Sequence, residues 1–324
     1  MIHATSPAQR AAWEAGRAAE PEWVADDVVA VAVPMDSPGM PSSFAYLLLD
    51  GDAVDVVDPG LPGEAARRAL DAALTLAGRA VHDVRSIVAT HLHPDHLGGA
   101  ADLRERSGAP IVLHAADAAA AAAPLDRAPT RELLADWGVP ESQRAELLAG
   151  PRRPPTVTVA DRTLAEGDRV GRWRVLATPG HTAGSICLLD EERGLLLTGD
   201  ELLPTIVAGL ALGGPHAGSP VEEHLASLDR LAGLGDLEVL PGHGFRFRGL
   251  AERAAETAAH HQRRSDEVAA VLAGDPEATI WEIASRLTWT QGFAALAGFY
   301  LGSALRQTAF HAERVRSEEP GPRR

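Results

Sequence analysis

Four side chains that can bind a metal ion fall within six consecutive positions of the run Thr90–Gly99. His91 and His93 are two residues apart, so an extended backbone directs both imidazoles to the same side. Asp95 and His96 follow, where we expect the chain to turn into a helix, and can face a second point nearby. Nitrogen and oxygen donors of this kind bind borderline divalent cations. The run therefore predicts a metal site.

Three more potential ligands occupy matching places further along the chain. His181, Asp200 and His243 each close an apolar segment and open a loop that contains glycine. Strands of one sheet would bring these loops to a common edge, which is where proteins commonly carry reactive side chains. We also expect the Gly98-Gly99 pair to let the backbone turn tightly after the histidine run.

Seven nitrogen and oxygen ligands can hold two divalent ions, with zinc favoured and iron or manganese also suited. In the arrangement that we favour, Asp200 bridges the two ions. The first ion is bound by His91, His93 and His181, and the second by Asp95, His96 and His243. Such a pair, about 3.5–4 Å apart, activates water at neutral pH and polarises a carbonyl or phosphoryl oxygen. Asp95 is the candidate catalytic residue, because its carboxylate can accept a hydrogen bond from that water and aim it.

The motif from His91 to Gly99, followed by Thr-Pro-Gly-His-Thr, Thr-Gly-Asp and Pro-Gly-His-Gly, resembles the metallo-β-lactamase superfamily over about residues 28–248. The resemblance implies an α/β fold, an αβ/βα sandwich with a dinuclear site at one edge of its two sheets. It also implies the same division of ligands between the ions. Asp58 matches a family aspartate that supports the metal-binding loops; the alternative is a turn residue before Pro59.

Within that superfamily, the acidic Asp200 is similar to glyoxalase II, lactonases and thioesterase-like members, where the best-known zinc β-lactamases carry a cysteine. His93 stands where diiron oxygen-reducing relatives have a glutamate, which favours hydrolysis. We therefore expect an enzyme that hydrolyses an ester-like carbonyl in a small acyl substrate, either a thioester or a lactone. The alternatives are a nuclease or phosphodiesterase acting on RNA, a β-lactam hydrolase, and a metal-stabilised scaffold or DNA-binding regulator.

Short apolar strands alternate with amphipathic or alanine-rich helices over the first 250 residues, and Asp50-Gly51 marks a hairpin turn. The predicted strands are Val28–Val33, Ala45–Leu49, Val54–Val57, Ser86–Ala89, Ile111–Leu113, Thr156–Val159, Trp173–Ala177, Ser185–Leu189, Leu195–Leu197 and Leu237–Leu240. The predicted helices are Gly63–Ala77, Gly99–Arg106, one from Ala115, Thr130–Trp137, Glu141–Leu148, Val221–Leu231, Leu250–Leu272, Ile280–Leu287 and Phe293–His311.

The change to an almost purely helical pattern after Gly249 predicts a domain boundary. We expect a catalytic domain over residues 1–248, a C-terminal helical domain over residues 249–316, and a disordered tail over residues 317–324. The stretch Gly199–Thr205 and later segments resemble a branch with a winged-helix-like C-terminal domain. Arg263 and Arg264 lie among acidic residues rather than in a basic stripe, so packing and a homodimer contact are favoured there over nucleic-acid binding.

The composition sets limits on the partners. The 324 residues carry a formal net charge of −15 and contain no lysine, which disfavours a large nucleic-acid footprint. No apolar run reaches the length of a membrane span. One cysteine and no signal-peptide pattern predict a cytoplasmic protein.

Several other residues carry weaker expectations. Cys187 is expected in the core rather than as a nucleophile, and Arg246 can meet an anionic substrate group. His216 and His224 are expected at the surface, with substrate contact as the alternative. Residues 124–155 can form an apolar wall or lid beside the site through Leu133, Leu134, Trp137, Leu147 and Leu148, or can pack as ordinary helices.

Overall fold

The computed structural model describes residues 2–37, 39–122, 129–149, 159–211, 216 and 218–318. Its strands are β1 (His3–Ala4), β2 (Glu22–Ala25), β3 (Val28–Pro34), β4 (Ser42–Asp50), β5 (Ala53–Val57), β6 (Val84–Val88), β7 (Ile111–His114), β8 (Arg162–Leu164), β9 (Arg169–Val170), β10 (Trp173–Ala177), β11 (Ile186–Asp190), β12 (Leu195–Gly199), β13 (Glu238–Pro241) and β14 (Phe247–Arg248). Its helices are α1 (Pro7–Glu14), α2 (Glu64–Leu76), α3 (Pro94–Leu97), α4 (Ala100–Ser107), α5 (Ala115–Ala122), α6 (Arg131–Asp136), α7 (Glu141–Leu148), α8 (Pro220–Ala232), α9 (Leu250–Gly274), α10 (Ile280–Arg286) and α11 (Gly298–Glu318).

The strands form two seven-stranded mixed sheets. The first has the order β2-β3-β4-β5-β6-β7-β8, and the second has the order β1-β14-β13-β12-β11-β10-β9. The predicted hairpin after Asp50 joins β4 to β5, and β5 through β8 then run parallel. Parallel neighbours require crossover connections. The crossover from β5 to β6 contains α2, that from β6 to β7 contains α3 and α4, and that from β7 to β8 contains α5, α6 and α7.

Alternating side chains in the strands divide the core into layers, because successive residues of a strand point to opposite faces. In β3, Val29 and Val31 pack against the helices outside the first sheet, whereas Val28 and Ala30 pack between the sheets. In the second sheet, Cys187 faces an outer core that includes α8 and the start of α9. The result is the expected αβ/βα sandwich.

A separate apolar cluster joins the C-terminal helices to α6 and α7. Leu134 and Leu147 pack there with Val268, Ile283 and Leu305. Residues 249–318 contain helices and a short 3-10 turn but no strand, so the helical expectation is confirmed and a β wing is absent from this stretch. The domain boundary stays a prediction: α9 is continuous from Leu250, which packs on the second sheet, into this helical cluster.

Some predictions differ from the structure or fall outside it. The N-terminal elements β1, α1 and β2 and the short β8, β9 and β14 were not predicted. The strand expected at Thr156–Val159 lies outside the described residues except for Val159, which is not in a strand. The predicted tail lies outside them from residue 319, whereas Ser317 is still helical. No helix in the described part of the chain has the length and hydropathy needed to cross a bilayer.

Candidate metal centre

The histidine run lies in the loop that leaves β6. Pro94 begins the single-turn helix α3, with His93 as its N-cap, and this turn places His96 beside His91. The two glycines that follow, Gly98 and Gly99, do not serve the tight turn that the sequence predicted. Gly98 and Gly99 have ordinary helical backbone angles, but a Cβ on either would crowd the loop Pro59–Pro62. The glycines are therefore needed for close approach rather than for an unusual turn.

The structure brings His91, His93, His181 and Asp200 together in one group. His91 Nε2 lies 2.9 Å from His93 Nδ1, and His181 Nε2 lies 3.3 Å and 3.0 Å from these two nitrogens. Asp200 Oδ2 lies 3.7 Å from His181 Nε2. The three nitrogens thus form a small triangle with a carboxylate oxygen beside it.

A second group contains Asp95, His96 and His243. His243 Nε2 lies 3.4 Å from both His96 Nε2 and Asp95 Oδ2. Asp200 also reaches this group, because its Oδ1 lies 3.4 Å from His96 Nε2 and its Oδ2 lies 3.5 Å from His243 Nε2. Asp200 is therefore the carboxylate that faces both groups.

These spacings fit metal coordination. Zinc–nitrogen bonds of about 2.0–2.1 Å in a tetrahedron place neighbouring donors about 3.3 Å apart. Asp200 Oδ1 is buried and has no hydrogen-bond partner, although polar atoms buried in proteins are normally satisfied. Such an orphaned carboxylate oxygen, facing imidazole nitrogens, is suited to a cation.

The remote nitrogens of four rings are fixed by hydrogen bonds that leave Nε2 free to coordinate. His91 Nδ1 lies 3.0 Å from Thr90 Oγ1 and His96 Nδ1 lies 2.8 Å from Asp58 Oδ2. His181 Nδ1 lies 2.6 Å from the carbonyl oxygen of Gly209, and His243 Nδ1 lies 2.9 Å from that of Ser42. Carbonyl and carboxylate oxygens accept, and the Thr90 hydroxyl already donates to Asp58, so Nδ1 donates in all four rings and Nε2 is the atom that faces the site, as in many metal-binding histidines.

Asp58 is both a turn residue and a support for the loop. Its φ of +54° lies in the left-handed region, which aspartate adopts more readily than most residues. Its carboxylate accepts hydrogen bonds from the Thr90 amide and hydroxyl, both at 2.7 Å, and from His96. The two readings considered from the sequence therefore both describe this residue.

The electrostatics differ between the two groups. Burial, reinforced by neighbouring imidazoles, lowers the pKa of His91 well below its usual value and that of His181 to about 3. Burial also acts to lower the pKa of His243, but the carboxylates of Asp200 and Asp95 outweigh it and raise the pKa to about 10. His91 and His181 thus offer neutral imidazoles, whereas His243 holds a second proton that a cation would displace.

Other sequence expectations have mixed outcomes. Cys187 is buried, and burial raises the pKa of its thiol, which confirms a core role. Arg246 is buried and paired with Glu22 and Glu238, each at 2.6 Å, so its head group is not presented to a substrate. The surface placement of His224 was wrong: it is buried, with Nδ1 2.9 Å from Glu201 Oε1.

The expectations for the remaining segments are resolved in part. His216 is not at the surface either, since its side chain is 5% exposed and pairs with Glu223. Of the suggested apolar wall, Leu134 and Leu147 lie in the helical core and Leu133 is exposed. Residues 124–128 and 150–155 of that segment lie outside the described residues. Sequence reasoning also missed Asp117, a buried carboxylate in an alanine-rich helix, which is described below.

A family model for the metallo-beta-lactamase superfamily matches residues 38–243, which span both ligand groups. The chain belongs to the metallo-β-lactamase superfamily. This membership agrees with the sandwich of two sheets and with the position of the histidine run after β6. It confirms the resemblance predicted from the sequence motifs.

Relatives within the metallo-β-lactamase superfamily cover most of the chain. The probable metallo-hydrolase YqjP of Bacillus subtilis (strain 168) is 28% identical over 91% of this chain and 93% of its own length. A hydroxyacylglutathione hydrolase of Anaeromyxobacter dehalogenans (strain 2CP-C) is 34% identical over 72% of this chain and 78% of its own. The crystal structure of a metallo-β-lactamase family protein from Thermus thermophilus has a TM-score of 0.71 at 30% identity, covering 91% of this chain and 95% of that one. The expectation of an enzyme, a metal-dependent hydrolase, is confirmed by these relatives.

Proposed function

We propose that the protein is a dinuclear metal-dependent hydrolase that cleaves thioesters of small acyl groups, with lactones as the second substrate class. The observation that carries the proposal is the position of Asp200, whose two carboxylate oxygens face two adjacent groups of imidazole and carboxylate donors. The 34% identical hydroxyacylglutathione hydrolase supports a thioester substrate. Zinc is the favoured metal, because histidine and carboxylate donors suit it, as they also suit iron and manganese.

In this proposal His91, His93 and His181 would hold the first ion, Asp95, His96 and His243 would hold the second, and Asp200, which faces both groups, would contribute to both. When bound, the two ions would supply Lewis acidity and would lower the pKa of a water molecule to about 7.

The chain's own residues orient the reactants. The side chain of Asp95 is 17% exposed, whereas those of His96 and His243 are fully buried. Asp95 can therefore reach both the site and the solvent side from which a substrate arrives. Burial acts to raise the pKa of its carboxylate, but the hydrogen bond with His243 and the nearby imidazole charges outweigh burial and hold the pKa below the usual range. The carboxylate thus stays ionised and accepts a hydrogen bond from the attacking water, which would direct the water's lone pair at the carbonyl carbon.

Hydrolysis assays on a substrate panel test the proposed function. We expect purified protein supplied with zinc to hydrolyse a hydroxyacylglutathione or an acyl-coenzyme A thioester, with a lactone next, and faster than a chromogenic β-lactam or a phosphodiester. Asp200→Ala should lower kcat/KM at least about 100-fold, since loss of a transition-state charge contact costs on the order of 3 kcal/mol. It should also remove at least one equivalent of metal.

The matched control is Asp52→Ala, which removes an aspartate that is fully exposed in the β4–β5 turn. The control should retain the activity and metal content of the unmodified protein. Undiminished turnover and metal content in Asp200→Ala would contradict the ligand assignment. Failure of the unmodified protein to take up zinc, iron or manganese would end the proposal.

A further inference from the structure

Asp117 is a fully buried carboxylate near the start of α5, on the side of the first ligand group. Its relative exposure is 0%. Oδ2 accepts hydrogen bonds from the Leu92 amide and the Thr182 hydroxyl, both at 2.8 Å, and Oδ1 accepts one from the Gly184 amide at 2.7 Å. Both oxygens are therefore used as acceptors, which is a pattern that only an ionised carboxylate satisfies fully.

The donors belong to two different loops. Leu92 lies between His91 and His93 in the loop that leaves β6 of the first sheet. Thr182 follows His181 in the loop that leaves β10 of the second sheet. Asp117 thus connects, through single side-chain contacts, the two backbone segments that carry the three histidines of the first group.

Gly184 gives an independent sign of this close connection. A Cβ at this position would lie 2.5 Å from the Asp117 amide nitrogen and 2.6 Å from its Oδ1. The loop after His181 is therefore packed directly on the start of α5, with no room for a side chain. Thr182 also connects Asp117 to the end of this loop, because its hydroxyl lies 2.8 Å from Ser185 Oγ as well as 2.8 Å from Asp117 Oδ2.

We propose that Asp117 is a positioning residue for the first metal ion, fixing the distance between the His91–His93 loop and His181. This inference rests on the proposed dinuclear function. It assigns Asp117 a part separate from that of Asp58, which contacts His96 and Thr90. An asparagine at position 117 would keep the shape but place an N–H group against at least one of the three donors. The Asp117→Asn change should therefore weaken binding of the first ion and leave the site formed by Asp95, His96 and His243 unchanged.

Metal titration tests the proposal without relying on turnover. Chelator-treated protein is titrated with zinc against a chromophoric chelator, and separately with cobalt followed by its visible absorption. The unmodified protein is expected to bind two equivalents. Asp117→Asn is expected to bind one equivalent with unchanged affinity and the other about 10- to 100-fold more weakly, the range typical of residues that orient ligands. In the cobalt titration of Asp117→Asn, the absorption band of the site with three histidines should be weakened, and that of the other site should not.

Asp55→Asn is the matched control. Asp55 is also a buried aspartate with hydrogen bonds to a serine and an arginine, Ser86 and Arg85, and it belongs to β5. It should keep both binding steps. Two steps of unmodified affinity in Asp117→Asn, or equal weakening of both steps, would overturn the inference. Absence of zinc uptake by the unmodified protein would instead count against the proposed function.

Thr182→Val decides the question if Asp117→Asn does not fold. Valine keeps the volume of the buried threonine but removes the donor to Asp117 Oδ2. We expect the same selective weakening of one binding step, smaller than in Asp117→Asn because two donors to Asp117 remain. Two unmodified binding steps in Thr182→Val would overturn the positioning role.

Discussion

Glycine residues determine how closely the loops of the metal centre approach each other. The Gly242 amide donates to the Gly199 carbonyl and the Gly242 carbonyl accepts from the Phe44 amide, both at 2.7 Å. A Cβ at Gly242 would lie 2.4 Å from Asp200 Oδ1 and 2.7 Å from His96 Cε1. Because the backbone is held on both sides, the strain of an added methyl group would pass to these two ligands.

Gly242→Ala should therefore disturb the centre although the change is a single methyl group. We expect zinc affinity to fall at least about 10-fold, because a ligand moved by a few tenths of an ångström loses its preferred geometry. Isothermal titration of chelator-treated protein measures the effect. Gly274→Ala is the control, since its Cβ meets no atom within 4 Å. Equal affinities in the two variants would show that the loop can shift without cost.

The seven proposed ligands were visible in the sequence, because four lie in one run after a predicted strand, the other three each close an apolar segment, and all have side chains suited to metals. The groups that orient them were only partly visible. The carbonyls of Ser42 and Gly209 have no residue-specific signature, and Asp117 lies in an alanine-rich helix that shows no pattern around it. The one signal for Asp117 was a lone acidic residue on an otherwise apolar helix.

Helix α9 extends the helical region into the surroundings of the metal centre. Arg253 is buried and donates to the carbonyls of Leu203 and Ile206 at 2.6 Å and 2.8 Å. The same loop continues to Gly209, whose carbonyl orients His181. Arg253 on α9 therefore stabilises the loop that begins after Asp200 and ends at Gly209, whose carbonyl is the hydrogen-bond partner of His181.

Arg253→Met should loosen this loop while keeping most of the apolar side chain. Loss of charge-assisted hydrogen bonds to two carbonyls is expected to lower the free energy of unfolding by about 2 kcal/mol. It should also raise the rate of limited proteolysis within residues 203–211. Arg263→Met on the exposed face of the same helix serves as the control. A loop as resistant as in the unmodified protein would show that Arg253 is not required to hold it.

The predicted elements agree best where glycine or proline residues bracket the segment. Trp173–Ala177 and Glu141–Leu148 have the predicted bounds, and the hairpin after Asp50 follows its turn residues. The strands that were missed have two to four residues, too few for alternation to show. Their pairing depends on neighbours distant in sequence, such as β1 with β14. The wing was expected from motif resemblance, which carries no information about strands in residues 249–318.

At the scale of the whole molecule, the helical region contains buried histidines that tie its stability to pH. His311 accepts or donates a hydrogen bond with Ser265 Oγ at 2.9 Å and stacks on His261. Burial, with the charges of Arg264, Arg314 and His260, lowers the pKa of His311 to about 3. Burial, with nearby imidazoles, lowers the pKa of His261 to about 2. Both rings are thus neutral in the folded protein.

Acidification should destabilise the protein through these rings. The unfolded chain, with an ordinary histidine pKa of about 6.5, binds protons first, so the free energy of unfolding is fully retained above that pH and falls toward pH 3. For His311 alone the loss at pH 5 is about 2 kcal/mol. Urea unfolding at pH 7.5 and pH 5 measures it.

His311→Asn is the comparison, because asparagine can keep the hydrogen bond to Ser265 but does not titrate. The unmodified protein should lose more stability between the two pH values than this variant does, by about 1–2 kcal/mol. Titrating groups that do not contact His311, including the histidines of the metal centre, are common to both proteins and cancel. Identical losses in the two proteins would show that His311 is accessible to protons in the folded state.

The unbroken course of α9 has a consequence for protein engineering. Leu250 and Ala254 pack on the outer face of the second sheet, and Arg253 donates a hydrogen bond to the loop that follows Asp200. Val268 and Leu272, which begin 18 residues after Leu250, belong to the helical cluster. Module exchange between relatives at residue 249 would replace the contacts that Leu250, Arg253 and Ala254 make with the sandwich, whereas Val268 and Leu272 would move together with the C-terminal helices. A chimera in this superfamily should therefore carry the first turns of the helix with the sandwich and make its junction beyond them.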